Sequence, residues 1–275
     1  MPAQIATLPL SIAHLCELEV KPVDLIELAA RAGFASVGLR VAPAVPGGIN
    51  YPLRSDAERA DMRRRMQVTG VSVLYVELIS LSRATKVADH KPLLETGAAL
   101  GATRLAVAGD DADFAIVAER MAELCDLAKG YGIAVDLEFM PFRAVKSLTD
   151  AAKVVRLAKR PNAHILLDAL HFYRSGSTIA ELAGIDPFML GTFQICDAPR
   201  AAPPADGLAT EARSRRLLPG EGGLDLRTLI EALPPGIPFG VETPIASQFP
   251  HLDPVARATL MVGKTREFLA ARSAP

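Results

Sequence analysis

Apolar and polar positions along the chain fall into one unit repeated end to end: an amphipathic stretch of helical period, a glycine, then a short β-branched run. Residues 29–39 show it first, Ala-Ala-Arg-Ala-Gly-Phe-Ala-Ser-Val-Gly-Leu, and residues 68–76, 99–107 and 130–137 repeat it. Glycine just past a helix end is the residue that takes the left-handed closing conformation without penalty. Read through to the end, the pattern predicts strands near 5–12, 36–41, 71–79, 103–108, 133–138, 163–168, 190–195 and 237–242. Helices are predicted near 22–32, 55–68, 89–100, 112–130, 147–159, 177–183, 225–233 and 253–271. Eight strands alternating with eight helices is the count of an α/β protein of the (β/α)8 TIM-barrel type. A doubly wound open sheet is the competing architecture, but no GxGxxG follows the first strand. With no linker or low-complexity stretch, residues 1–275 are expected to form a single domain.

Two connections are long. Residues 42–54 carry Pro43, Pro46, Gly47, Gly48 and Pro52, and residues 197–223 carry Arg213, Arg215, Arg216 and Pro219-Gly-Glu-Gly222. Both fall on the side where strands end, which makes both candidate lids, with a variable surface loop as the alternative reading of the first.

Composition agrees with a buried parallel sheet. Half of the residues are hydrophobic, tryptophan is absent, and aromatics make up 5%, so the core is aliphatic. The formal charge is −1, with 30 basic and 31 acidic residues, which provides no field for a polyanion, and nucleic acid is not an expected partner. Three cysteines, Cys16, Cys125 and Cys196, lack CxxC spacing and imply a reducing cytoplasm rather than a disulfide framework. There is no positively charged leader and no run approaching the roughly 20 apolar residues of a membrane span. A soluble cytoplasmic protein acting on a small molecule is the expectation, and a homo-oligomer is compatible with it.

The chemistry lies at the strand ends. Glu138 closes Ile-Ala-Val-Asp-Leu-Glu, Asp168 closes Ala-His-Ile-Leu-Leu-Asp, Gln194 sits near the end of Gly-Thr-Phe-Gln-Ile, and Glu242 closes Phe-Gly-Val-Glu. In a parallel barrel those ends converge on one mouth, where active sites are found. A single Glu or Asp in such a place ordinarily caps a helix or pairs at the surface. Four oxygen donors in register point instead to one divalent cation, since a carboxylate buried after an apolar run needs a partner. Three carboxylates and an amide oxygen are a hard donor set that suits Mn2+ or Mg2+, with Co2+ and Zn2+ as further candidates. A histidine in place of Gln194 would favour Zn2+.

Other candidates surround these four. His171, in Asp168-Ala-Leu-His171, is placed to polarise a substrate oxygen or carry a proton, or is a hydrogen-bonded loop histidine. Arg174 holds an anion or caps the next helix. Of the run Arg213-Ser-Arg-Arg216, Arg216 is the choice to reach over the metal and bind a substrate oxygen or carboxylate. Glu77 and His14, at the mouth ends of strands three and one, are substrate-binding candidates or partners of nearby loops. Asp136 shares the parity of Glu138 one layer down and reads as a supporting acid.

The segments Asp136-Leu-Glu138, Leu167-Asp-Ala-Leu-His171, Phe193-Gln-Ile-Cys-Asp197 with Ala198-Pro199, and Leu218-Pro-Gly-Glu-Gly222 followed by Val241-Glu242 resemble the xylose-isomerase-like TIM-barrel superfamily. The resemblance covers essentially the whole chain. It implies that Glu138, Asp168, Gln194 and Glu242 bind one Mn2+, Mg2+ or Co2+, that the two glutamates also transfer protons, and that His171 contacts substrate. Sugar epimerases of the group usually carry His where this chain has Gln194. The stretch 193–199 is similar instead to bacterial 3-dehydroshikimate dehydratases, some of which place a catalytic His where this chain has Met140.

The leading expectation is a metal-dependent isomerase or epimerase of a small polyhydroxylated carbonyl compound, working through a metal-stabilised enediolate with Glu138 and Glu242 as the bases. The alternative is a lyase of the dehydroshikimate dehydratase type with His171 as the acid. Abasic-site endonucleases share the barrel, but they need many histidines around a zinc cluster, and this chain has five histidines. A barrel acting as sensor or scaffold would lack the metal.

Overall fold

A computed structural model describes residues 8–45 and 47–271. Eight parallel strands close into a ring in sequence order, each paired with the next and the eighth with the first. They are β1 (Leu10–Ile12), β2 (Ser36–Arg40), β3 (Ser72–Leu81), β4 (Arg104–Gly109), β5 (Ala134–Glu138), β6 (Ala163–Asp168), β7 (Leu190–Ile195) and β8 (Phe239–Val241).

Among the described residues ten α-helices accompany them: α1 (Pro22–Ala32), α2 (Asp56–Thr69), α3 (Lys91–Ala99), α4 (Phe114–Lys129), α5 (Leu148–Ala158), α6 (Ala169–Arg174), α7 (Ile179–Ala183), α8 (Leu208–Ser214), α9 (Leu226–Glu231) and α10 (Pro254–Ala270). Among the described residues no helix is long and apolar enough to cross a membrane.

The local chemistry that starts and stops these helices is visible in the sequence. Ser55 with Glu58, and Ser147 with Asp150, form reciprocal capping boxes at the starts of α2 and α5. Gly33 ends α1 at φ +95°, a left-handed conformation that a side chain would strain. Two short helices, α6 and α8, lie where loops are expected. Part of the predicted first strand, residues 5–7, lies outside the described residues, and the strand itself begins at Leu10. β8 stops at Val241, so Glu242 stands one residue beyond it.

Alternation within each strand sorts the side chains. In β5, Val135 and Leu137 are fully buried apolar groups, while Asp136 and Glu138 have the opposite parity and point into the barrel. The lower interior layer is polar and paired through one oxygen of Asp136, its Oδ1 having no hydrogen-bond partner. Arg104 Nε donates to Asp136 Oδ2 at 2.6 Å and Thr192 Oγ1 donates to the same oxygen at 2.7 Å. Asp136 is therefore the supporting acid its parity suggests, and it braces β4, β5 and β7 beneath the mouth.

Candidate metal centre

Register brings the candidate donors to one level. Asp168 pairs with Gln194 across β6 and β7, and Ala108 pairs with Glu138 across β4 and β5. Glu138, Asp168 and Glu242 each offer a carboxylate oxygen, and these oxygens all lie within 4.8 Å of one another. A cation with bonds of about 2.0–2.6 Å spans such a gap. All three residues are buried.

Each carboxylate is held from behind. Asp168 caps α6, accepting from the backbone N–H of His171 at Oδ1 (3.0 Å), while its Oδ2 accepts from Arg216 Nη1 (2.5 Å). Glu242 Oε2 accepts from Arg216 Nη2 at 2.9 Å. His171 Nε2 stands 3.6 Å from Glu138 Oε1.

This arrangement separates the three acids. Burial pushes Glu138 well above the usual carboxylate range, and the negative charges of Glu242 and Asp168 push it further. Burial raises Glu242 to about 7, with Arg216 opposing the rise. Asp168 is buried too, but Arg216 and the His171 contacts bring it below its ordinary value. Burial draws His171 down to about 4, so its imidazole is neutral at pH 7.

Gln194 lies between Asp168 and Gly240 in the ring. Its Oε1 is buried and accepts no hydrogen bond, an uncommon state for a buried amide oxygen. Around the mouth stand four buried carboxylates (Glu77, Glu138, Asp168 and Glu242) and two buried guanidiniums (Arg40 and Arg216); with every acid ionised the excess is two negative charges, which one divalent cation balances. The orphan amide oxygen, the clustered carboxylates and this charge balance fit a hard divalent cation held by Glu138, Asp168, Glu242 and Gln194.

Several sequence expectations change here. Arg216 does not sit on an open lid: its side chain is 1% exposed, and it binds Asp168, Glu242, the Ala212 carbonyl and Cys196 Sγ. Arg174 is committed to Glu211 through two contacts, Nε to Oε2 at 2.7 Å and Nη2 to Oε1 at 2.8 Å, so it ties α6 to α8 instead of waiting for an anion. Glu77 accepts from Arg40 Nε at 2.9 Å and Nη2 at 2.8 Å, and so pairs with β2. His14 is fully buried with both ring nitrogens engaged: Nδ1 accepts from the Arg40 backbone N–H and Nε2 donates to the Val20 carbonyl, each at 2.9 Å. Its ring stacks on Tyr51, 5.3 Å between centroids. Of the substrate-binding candidates, His14 and Arg174 have their polar atoms taken by other partners, while Glu77 is paired through Oε1 and its charge still raises Glu138 and Glu242.

Both long connections are fastened. Tyr51 Oη donates to the carbonyls of Leu18 and Glu19, and Arg143 reaches the Ala44 carbonyl, so the loop after β2 is pinned on two sides. After β7, the Asp197 carboxylate accepts four backbone N–H bonds, from Ala198 and Leu224 at Oδ1 and from Gly220 and Gly222 at Oδ2. Sequence reasoning missed this anchor, along with Arg40, Tyr75 and Glu211. The signal for Arg40 was present, since it ends β2 with the parity that faces Glu77.

The profile of a family described as xylose isomerase-like TIM barrel matches residues 26–268. A segment of 115 residues is 32% identical to an inosose isomerase of Bacillus subtilis (strain 168), covering 41% of this chain and 40% of that protein, so the match spans under half the length of the relative. Among solved structures, the IolI protein with a binding zinc atom superposes with a TM-score of 0.78 at 22% identity, covering 96% of this chain and 98% of that one. The probable 3-DHS dehydratase AsbF of Bacillus anthracis, involved in petrobactin synthesis, superposes with a TM-score of 0.74 at 14% identity, covering 97% and 100%. At these identities the superpositions speak for the fold.

Proposed function

The chain belongs to the xylose isomerase-like TIM-barrel family, and within it we propose that the protein is a divalent-cation-dependent isomerase or epimerase of a small polyhydroxylated carbonyl compound. The observation that carries this reading is the placement of Glu138 and Glu242, from β5 and from beyond β8, around one cluster with Asp168. Glu138, Asp168, Gln194 and Glu242 hold the cation, with Mn2+ or Mg2+ favoured by the all-oxygen donors. When bound, the cation acts as a Lewis acid toward a carbonyl and its neighbouring hydroxyl and acidifies the C–H between them.

The chain's own groups handle the proton. Glu138 and Glu242 stand on different sides of the cluster. One carboxylate removes the proton from carbon and the other returns one to the same or the adjacent carbon, as isomerisation and epimerisation require. Arg216 keeps Asp168 ionised and fixes Glu242, so the two ends of the donor set do not reorganise during the step. His171, neutral at pH 7, donates a hydrogen bond to a substrate oxygen near Glu138. The similarity to an inosose isomerase supports the isomerase class, although it covers 41% of the chain.

The lyase reading draws on Gln194, the amide found in the dehydroshikimate dehydratase pattern. It needs an acid to expel hydroxide. A His171 drawn down to about 4 is neutral at pH 7 and carries no imidazolium proton for that step, which weighs against it. The deciding experiment supplies metal-stripped protein with Mn2+ and a panel of ketoses and inososes in deuterated water. Carbon-bound deuterium and a new isomer are expected by NMR. Growth of ultraviolet absorbance with 3-dehydroshikimate, and no exchange into any polyol, would replace the isomerase with the lyase.

A further inference from the structure

The two ends of the Gln194 amide are in unlike surroundings. Nε2 donates to the hydroxyl of Tyr75 at 3.1 Å, whereas Oε1 is buried with no partner. Tyr75 stands on β3, which lies opposite β7 in the closed ring of eight. Its fully buried side chain crosses the interior, and it has room because its register partner on β2 is Gly38. A Cβ on Gly38 would come within 2.5 Å of Tyr75 Oη. Gly240 opens the other side, where a Cβ would meet Gln194 Cγ at 3.3 Å.

We propose that Tyr75, accommodated by Gly38, is the positioning residue that presents Gln194 Oε1 to the cation. The inference rests on the metal reading above. An amide ligates through its oxygen alone, so binding turns the N–H groups away from the cation and into a dry barrel. A buried donor left without an acceptor there disfavours the ligating orientation. Tyr75 Oη is the acceptor that relieves this. The hydroxyl thus acts on the metal through Gln194, without touching metal or substrate.

Calorimetric titration of metal-stripped protein with Mn2+ tests it, using Tyr75→Phe, Gln194→Leu and the double variant. Tyr75→Phe is expected to weaken Mn2+ binding about tenfold or more, the scale on which supporting partners of metal ligands act. Gln194→Leu should weaken it at least as much. The double variant should bind no worse than Gln194→Leu, because Tyr75 then has no amide to hold. Gly38→Ala, which displaces the ring while keeping the hydroxyl, gives a second route with the same expected pattern. Melting of the stripped proteins checks that each is folded. Wild-type affinity in Tyr75→Phe, or full additive losses in the double variant, would overturn the proposal while leaving the metal reading intact. A wild type that binds no Mn2+ or Mg2+ would overturn both.

Discussion

Arg216 Nη1 stands 2.5 Å from Asp168 Oδ2, 48 positions earlier in the chain, and the pair is almost wholly buried. The same guanidinium binds Glu242. A cation from the long connection after β7 is therefore built into the donor set. Removing one partner of a buried ion pair typically costs about 3–5 kcal/mol, because a charge is left uncompensated. Arg216→Ala should lower the stability of the metal-stripped protein by that order. Saturating Mn2+ should recover part of the loss by supplying the missing positive charge. Arg213→Ala and Arg215→Ala, at exposed positions, should be near neutral. Denaturant unfolding with and without Mn2+ checks the set, and an Arg216→Ala melting like wild type in both states would refute it.

Arg174 and Glu211 present a structural pair where a substrate contact was expected. Both side chains are nearly fully buried, 4% and 6% exposed. Arg174→Leu and Glu211→Leu should each destabilise by about 3–5 kcal/mol, and the double variant should be less destabilised than either single one. A substrate role would show instead as a raised KM with unchanged stability.

Asp197 should behave as the anchor of its connection. Asparagine keeps one acceptor oxygen and turns an NH2 group toward two backbone N–H donors, so Asp197→Asn loses two of the four bonds. Unmet buried donors cost about 1–3 kcal/mol each. Hydrogen exchange at Gly220, Gly222 and Leu224 should accelerate in the variant, with proteolysis inside 197–224, while exchange in β5 and β6 remains slow.

In the metal-stripped protein His14 should contribute an acid-destabilising slope, beside one from His171 and against the opposite one from the raised carboxyls of Glu138 and Glu242. Burial lowers the pKa of His14 below the ordinary 6.5, against the opposing pull of the Val20 carbonyl. Between the folded and unfolded values the unfolded chain binds the extra proton, so the contribution of His14 is full above about pH 6.5 and falls as pH drops toward its folded pKa. One such group gives a slope approaching about 1.4 kcal/mol per pH unit in that window. His14→Gln should flatten that part of the stability curve. An equally steep fall in the variant would assign the effect to another group.

For the proton-transfer glutamates, Glu138→Gln and Glu242→Gln should each reduce turnover by at least a hundredfold, the lower end of what positioned acid–base groups contribute. Neither should change the fold measurably, since Gln fills the same space. Full turnover in both would remove them from the mechanism.

The sequence by itself determined the barrel and the level of the site. Period-two and period-3.6 patterning is local, as is cap chemistry such as Ser55 with Glu58 or Gly33, so element order and approximate ends follow without distant contacts. Parity within β5 also put Glu138 on the same side as Asp136. What closure alone decided is who pairs with whom. Arg40 with Glu77, Arg174 with Glu211, Arg216 with Asp168, and Tyr75 with Gln194 join residues 37, 37, 48 and 119 positions apart. Ion pairs and amide contacts depend on distances of a few ångströms between separate strands and loops, and no periodicity encodes those. The same candidates that look alike in sequence therefore divide, once the ring closes, into donors around the cluster and charges already neutralised by a neighbour.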